Sequence, residues 1–351
     1  MEIFHKGLTE ILLINNYLTK HKFGFLTIEC PLPQILKKIT QALPSYSLGL
    51  QLRREYRHLQ MGIKALSMKD IDSIFVLEAY NQHLLFLLPM LISTGKNIFI
   101  GIHGNQQFAQ ENKVKALGFE YLQFYLKNFP KVKVVLLEVG DHLVPEKFRF
   151  PQNSQLVIPH PMLGDVEPRL KYGERRNSSE KIKIGLTGII RPDKPIDKIL
   201  KKLQKFITLN QDSFELIIGT PLREKPAYLE SLDITLRDTT KDEDYLNLLK
   251  ELDILVVDYD KKRYYYRASG VISDAVSCGC YIIAPDYPLI EHQITWPAIV
   301  GNTFTDLSQL DELLIKATEQ IKSIGKDNNW RWREKRSAKY IAELLSLNLD
   351  N

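Results

Sequence analysis

Ile184-Gly185-Leu186-Thr187-Gly188-Ile189-Ile190-Arg191-Pro192-Asp193-Lys194-Pro195 reads as a strand that runs directly into a helix. Residues 184–190 are apolar almost throughout, as in a parallel strand covered on both faces. Residues 195–209 place Ile196, Ile199, Leu200, Leu203 and Phe206 on one face at helical spacing. Pro195 suits the first helical position, where a missing N–H costs nothing.

The βα pattern extends both ways from this stretch. Toward the C-terminus, strands are expected at 214–218, 254–257 and 281–284. A helix is expected at 242–252, with acidic residues at its start where the helix dipole favours them. Residues 307–347 read as mostly helical. Toward the N-terminus, strands are expected at 25–29, 46–50, 74–77, 98–102, 132–137 and 156–158, and helices at 8–19, 33–43, 81–93 and 111–128. Such alternation implies doubly wound α/β sheets. A polar segment, 165–181, interrupts it with Pro168, Gly173 and Glu174-Arg175-Arg176-Asn177-Ser178-Ser179-Glu180. The expected division is a domain over 1–164, a linker over 165–181, a second domain over 182–328 and a final helical segment over 329–351.

Composition agrees with two soluble domains. The chain has 351 residues, 44% of them hydrophobic, and a domain takes roughly 100–200 residues. A net charge of +5 is too mild to signal nucleic acid. It suits anionic substrates or an anionic membrane surface. Cys30, Cys278 and Cys280 offer neither a disulfide framework nor zinc spacing, which points to a reducing, cytoplasmic setting. Residues 1–22 lack a secretory pattern. The longest apolar run, 84–92, contains Pro89 and is too short to cross a bilayer. Arg53, Arg54 and Arg57, with Leu12, Leu13 and Leu18, leave two readings open: peripheral contact with an anionic membrane, or an ordinary solvated face. Trp330-Arg331-Trp332-Arg333 poses the same choice.

Ligands of open α/β sheets bind beyond the carboxyl ends of the strands. Three clusters stand there. Gly188–Pro195 offers Arg191 as a guanidinium fork and Lys194 as a point charge for a phosphate, against the reading of a solvated basic turn. Ser269-Gly270 opens an apolar helix that Gly279 ends, so its first-turn N–H groups can face an anion. Asp274, one turn on, can accept from ribose hydroxyls. The alternative is two helix caps and a surface carboxylate. His103, in Ile102-His103-Gly104-Asn105, follows a strand and can bind, donate or accept a proton; otherwise it is a structural histidine in a turn. His160, before Pro161, reads as structural. Glu138, Asp141 and His142 cluster after another strand without a spacing that demands a metal.

Residues 188–195 are similar to the Gly-x-Ile-Arg-Pro-x-Lys-Gly loop of a large group of bacterial nucleotide-sugar glycosyltransferases with the GT-B fold. Ser269-Gly270 through Gly279, then Ile282-Ile283-Ala284, resembles the same family's Ser-Gly helix and the strand after it. Ile158-Pro159-His160-Pro161 looks like its Ile-Pro-His-Gly lead into the linker. Asp253 to Tyr259 looks like its strand ending in Pro-Tyr. The segment with Trp332 and Tyr340 resembles the helix that crosses back to the first domain.

The resemblance implies two Rossmann-like domains facing a cleft. It implies that Gly188, Arg191, Lys194, Ser269 and Gly270 bind the diphosphate of a sugar nucleotide, and that Asp274 binds the ribose. It casts His103, Lys194 and Arg191 as catalytic. The implied reaction moves a sugar to a glycan, lipid-linked or small-molecule acceptor without metal or cofactor, with retention. Sugar, base and oligomeric state have no signature in these motifs. The sequence departs from the family at Tyr266, where members often carry a Glu, at Pro195 in place of Gly, and at Cys280-Tyr281 in place of Pro-Val. Tyr266 motivates the alternative of a non-catalytic GT-B protein that binds a glycosyltransferase or a glycan.

Overall fold

The computed structural model describes residues 46–69, 72–77, 79–162, 181–188, 190, 196–226, 228–229, 232, 234–323 and 325–347. They divide into two compact units, which part between Ile158 and Pro159. The expected elements at 8–19, 25–29 and 33–43 and most of the linker lie outside the described residues, as do Arg191 and Lys194.

The N-terminal unit runs α1 (Tyr46–Ser67), β1 (Ser73–Val76), α2 (Asn81–Ile92), β2 (Asn97–Gly101), α3 (Lys113–Asn128), β3 (Val132–Leu137) and β4 (Gln155–Ile158). The strands are parallel, in the order β1-β2-β3-β4. One expectation is corrected. Residues 46–50 are the first turns of α1, not a strand. Despite Gly49, their apolar–polar alternation runs without a proline into good helix formers, and extending a helix is far cheaper than nucleating one. Leu84, Leu87, Leu88 and Leu91 of α2 are fully buried with Phe119, Leu122, Ile98 and Val134. Gly118 lets α3 cross the start of α2 closely: a Cβ there would lie 2.1 Å from the Asn81 carbonyl oxygen.

The C-terminal unit runs β5 (Ile182–Thr187), α4 (Asp197–Leu209), β6 (Phe214–Thr220), β7 (Thr235–Asp238), α5 (Asp242–Glu251), β8 (Ile254–Val256), α6 (Gly270–Ser277), β9 (Tyr281–Pro285), α7 (Pro288–Thr295), β10 (Gly301–Phe304), α8 (Leu310–Ser323), α9 (Gly325–Glu334) and α10 (Ala338–Leu347). Its six strands are parallel, ordered β10-β9-β8-β5-β6-β7. Successive residues feed opposite faces. Leu216, Ile218, Ile254, Val256 and Ile283 join α4 and α8 in one core. Ile217, Leu255, Ile282 and Ala284 join α5, α6, α7 and Trp332 of α9 in the other. Burial on both faces is why these strands read as continuous apolar runs rather than alternating ones.

Candidate active site

The chain runs outward from β5 through β6 to β7, then returns past β5 to β8, β9 and β10. The direction of winding therefore reverses between β5 and β8. At such a switch point the connections leave toward opposite faces and open a crevice at the strand ends. A hollow with about 410 Å³ of empty space, counted out to its mouth, lies there. Thr187 and Gly188 line it after β5, Gly219 in β6, and Val257, Asp258 and Tyr259 after β8.

Gly188 has φ +117°, a conformation open to glycine but strained for other residues. A Cβ on it would meet nothing within 4 Å among the described residues. The Thr187 and Thr220 hydroxyls are buried, and neither has a hydrogen-bond partner among the described residues. Buried polar groups are normally paired, so an unpaired hydroxyl at the edge of a hollow is a mark of a ligand site. Burial raises the Asp258 carboxyl above its ordinary range, and Lys198 of α4 partly offsets that.

Tyr259 joins this hollow to the start of α6. Its hydroxyl lies 2.8 Å from Ser269 Oγ. Ser269 is the N-cap and accepts from Ile272 N–H at 3.4 Å. Its own N–H donates to Gln293 Oε1 at 3.0 Å, and Gln293 Nε2 donates to the Ser269 carbonyl at 2.8 Å and to Ser273 Oγ at 2.7 Å. The Ser269 side chain is thus engaged inside the fold. Gly270, which follows, stands in the open first turn of α6. Asp274 accepts from the Tyr245 hydroxyl of α5 at 3.1 Å. Burial first, and Asp274 second, hold that phenol well above its ordinary range.

His160, read from sequence as structural, sits against this helix. Its Nδ1 is 3.1 Å from Ser273 Oγ and 2.9 Å from the Pro161 carbonyl. Sequence gave no sign of this, because 113 residues separate His160 from Ser273. Gln293 was missed for the same reason: a buried amide in an apolar helix carries no motif.

In the N-terminal unit, His103 follows β2. Gly104 takes φ +83°, and His103 N–H donates to Asn105 Oδ1 at 3.2 Å. Asn105 Nδ2 donates to the Ala79 carbonyl and to Asn81 Oδ1, and Asn81 Nδ2 donates back to the Asn105 carbonyl. The amide pair locks the turn that carries His103 onto the loop after β1. Glu138 follows the neighbouring strand β3, which pairs with β2. It is buried and holds φ +71°, the one positive φ on a non-glycine among the described residues. Such strain is retained mostly where function needs it. Asp141 is spent on structure, accepting from Phe150 N–H and from Gln155 Nε2. Among the described residues, no three His, Cys, Asp or Glu side chains are placed to hold a metal ion.

No protein-family model matches the chain, and no curated protein matches it in sequence. Solved structures do. Sucrose-phosphate synthase from Thermosynechococcus elongatus is similar with a TM-score of 0.58 and 13% identity, over 93% of this chain and 81% of that one. The lipopolysaccharide outer core galactosyltransferase WaaB is similar with a TM-score of 0.55 and 11% identity, over 86% and 81%. The GtfA/B complex gives 0.53 and 10%, over 83% of this chain. This chain spans only 59% of the GtfA/B chain and 53% of TarM. At these identities the likeness establishes architecture: the two parallel α/β units have the Rossmann-like GT-B fold that glycosyltransferases use.

Proposed function

We propose that the chain is a glycosyltransferase whose C-terminal unit binds the diphosphate of a sugar nucleotide at the β5–β8 switch point. One observation carries the reading. The hollow there combines a glycine turn at Gly188 with the buried Thr187 hydroxyl, unpaired among the described residues, and adjoins the start of α6 through Tyr259. The fold adds support, since similar structures include a galactosyltransferase and a pneumococcal O-GlcNAc transferase in complex with UDP and GlcNAc.

In this reading the glycine turn at Gly188, whose own N–H is held by the Gly219 carbonyl at 3.1 Å, gives the phosphates close approach to the backbone, and the first turn of α6 meets them through backbone N–H groups. Arg191 and Lys194 neutralise the charge that develops on the departing nucleoside diphosphate, in place of a metal. Ser269 shapes that turn, and Asp274 meets the ribose. His103 acts from the N-terminal unit on the sugar or on a glycan, lipid-linked or small-molecule acceptor. Retention of configuration, action without a cofactor, a cytoplasmic location and peripheral membrane contact belong to the same proposal.

The test is a panel of sugar nucleotides screened for thermal stabilisation, followed by turnover of those that bind. Stabilisation by one nucleoside diphosphate series with transfer or hydrolysis supports the enzyme. Stabilisation without turnover over a wide acceptor panel supports the non-catalytic partner that Tyr266 motivates. No stabilisation by any nucleotide removes the assigned site.

A further inference from the structure

Three helices of the N-terminal unit pack side by side and leave an apolar outer face. α2 lies between α1 and α3. A Cβ on Gly62 of α1 would lie 2.7 Å from Met90 Sδ of α2, and Gly118 of α3 meets the start of α2. Ala65 of α1, Leu88 of α2 and Leu122 of α3 enter one core with the strands, so the opposite sides of the three helices share one surface. Polar residues are expected on such a surface. Instead Leu59, Ile63 and Leu66, successive turns of one face of α1, are exposed. Phe86, one turn before Met90 and so beside the same seam, is 69% exposed. Leu117 and Phe124, two turns apart on one face of α3, are exposed as well. The net charge of the chain is gathered on the same layer. α1 carries four cations against Glu55, α2 no charge, and α3 three cations against Glu120. That is +3, 0 and +2, which together equal the +5 of the whole chain. Arg57, Lys64, Lys113 and Lys127 stand exposed there.

We infer that this outer face of α1, α2 and α3 docks on the surface of an anionic lipid bilayer; the inference rests on the peripheral contact proposed above and gives it a location. A contiguous apolar patch on an otherwise polar surface marks an interaction site. Charge selects the occupant. A second copy of the chain brings the same +5 against its like, whereas anionic lipid attracts it. The arrangement suits the boundary between head groups and acyl chains. Phe86 stands on the uncharged middle helix and enters the acyl side, and the cations of the two flanking helices meet the head-group phosphates.

Sedimentation of the full chain with vesicles tests this. The chain is expected to bind vesicles of equal parts phosphatidylcholine and phosphatidylglycerol and to leave pure phosphatidylcholine vesicles in solution. Arg57→Gln combined with Lys64→Gln is expected to weaken binding about 25-fold, at roughly fivefold for each cation near the lipid. These two side chains are exposed, so the fold is kept. Phe86→Ser is expected to weaken binding about tenfold or more. Both variants should keep the parent's melting temperature and its affinity for UDP and GDP. A parent that ignores anionic vesicles, or variants that bind them as the parent does, overturns the inference and leaves the donor site intact. A dimer that Phe86→Ser dissociates, with no vesicle binding, gives the face to a second copy and overturns it too. So does a fall in melting temperature of the size of a core deletion in Phe86→Ser, which means that the chain's own residues cover the face. Vesicle binding by a chain that takes neither UDP nor GDP upholds the docking and removes the donor site.

Discussion

Gln293 holds Ser269 with both ends of its side-chain amide, Oε1 accepting from the backbone N–H at 3.0 Å and Nε2 donating to the backbone carbonyl at 2.8 Å. The pair forms a short ladder between α7 and the N-cap of α6, in a place closed to water. Leaving buried groups unpaired costs about 1–3 kcal/mol each. Gln293→Leu strands the Ser269 N–H and leaves the Ser269 carbonyl with the Ser273 N–H alone at 3.2 Å, and should destabilise the C-terminal unit by about 1–3 kcal/mol. Urea unfolding measures this. A loss under about 0.5 kcal/mol, the scale of ordinary surface changes, would show that the ladder carries little.

The proposed site makes a kinetic prediction in two halves. Lys194→Ala and Arg191→Ala should lower turnover by about 100–1,000-fold, the usual cost of one preorganised donor aimed at developing charge. Both should also weaken nucleoside-diphosphate binding. His103→Ala should lower turnover while leaving that binding nearly unchanged, because His103 belongs to the other unit. Calorimetry with UDP and GDP, paired with turnover of a confirmed donor, reads both effects. Parent-like binding and rates in all three variants would refute the assignment.

In the six-stranded sheet, the strands visible in the sequence were those buried on both faces. β5, β6, β8 and β9 read as near-continuous apolar runs, Glu215 being an exception, because helices pack on both faces of their sheet. β7 and β10, the two edges of the six-stranded sheet, were not found. Thr-Leu-Arg-Asp and Gly-Asn-Thr-Phe are short and polar, and an edge strand needs only one paired side. The helix at 46–50 was misread because Tyr46, Leu48 and Leu50 alternate as a strand would. In the site, Gly188, Ser269 and Gly270 were legible from the chemistry of turns and caps. His160 and Gln293 were not, since their partners lie far along the chain and only tertiary packing joins them.

Close helix packing in the N-terminal unit yields a prediction at Gly118. A Cβ there would meet the Asn81 carbonyl oxygen at 2.1 Å and its carbon at 2.4 Å. Backbone cannot swing aside as a side chain can, so α2 and α3 must separate. Overpacking of this kind costs about 1–3 kcal/mol, occasionally more, against less than 1 kcal/mol gained from helix propensity. Gly118→Ala should therefore lower the melting temperature of this unit. An unchanged or raised melting temperature would contradict the packing.

The last prediction concerns pH. His83 of α2 is fully buried, stacks on His58 of α1 at 4.3 Å and has Nδ1 2.6 Å from Glu55 Oε1. The distance alone suggests an ion pair. The surroundings oppose one: burial first, and the Arg54 charge second, pull His83 down to about 4, while burial raises Glu55. The ring is neutral, with Nδ1–H donating to the carboxylate. Its folded pKa is below the ordinary 6.5, so the unfolded chain binds the proton more readily. His83 thus contributes stability in full above about pH 6.5 and loses it as pH falls toward about 4. The loss over that window is about 3 kcal/mol, at about 1.4 kcal/mol per pH unit. Burial lowers His58 as well, which adds in the same direction. Urea unfolding of the parent at pH 7.5 and pH 5 should show the drop. His83→Phe, which fills the site without a titrating group, should flatten it, leaving the smaller share from His58. A parent whose stability is level across that range would mean that the buried ring gains a partner on protonation.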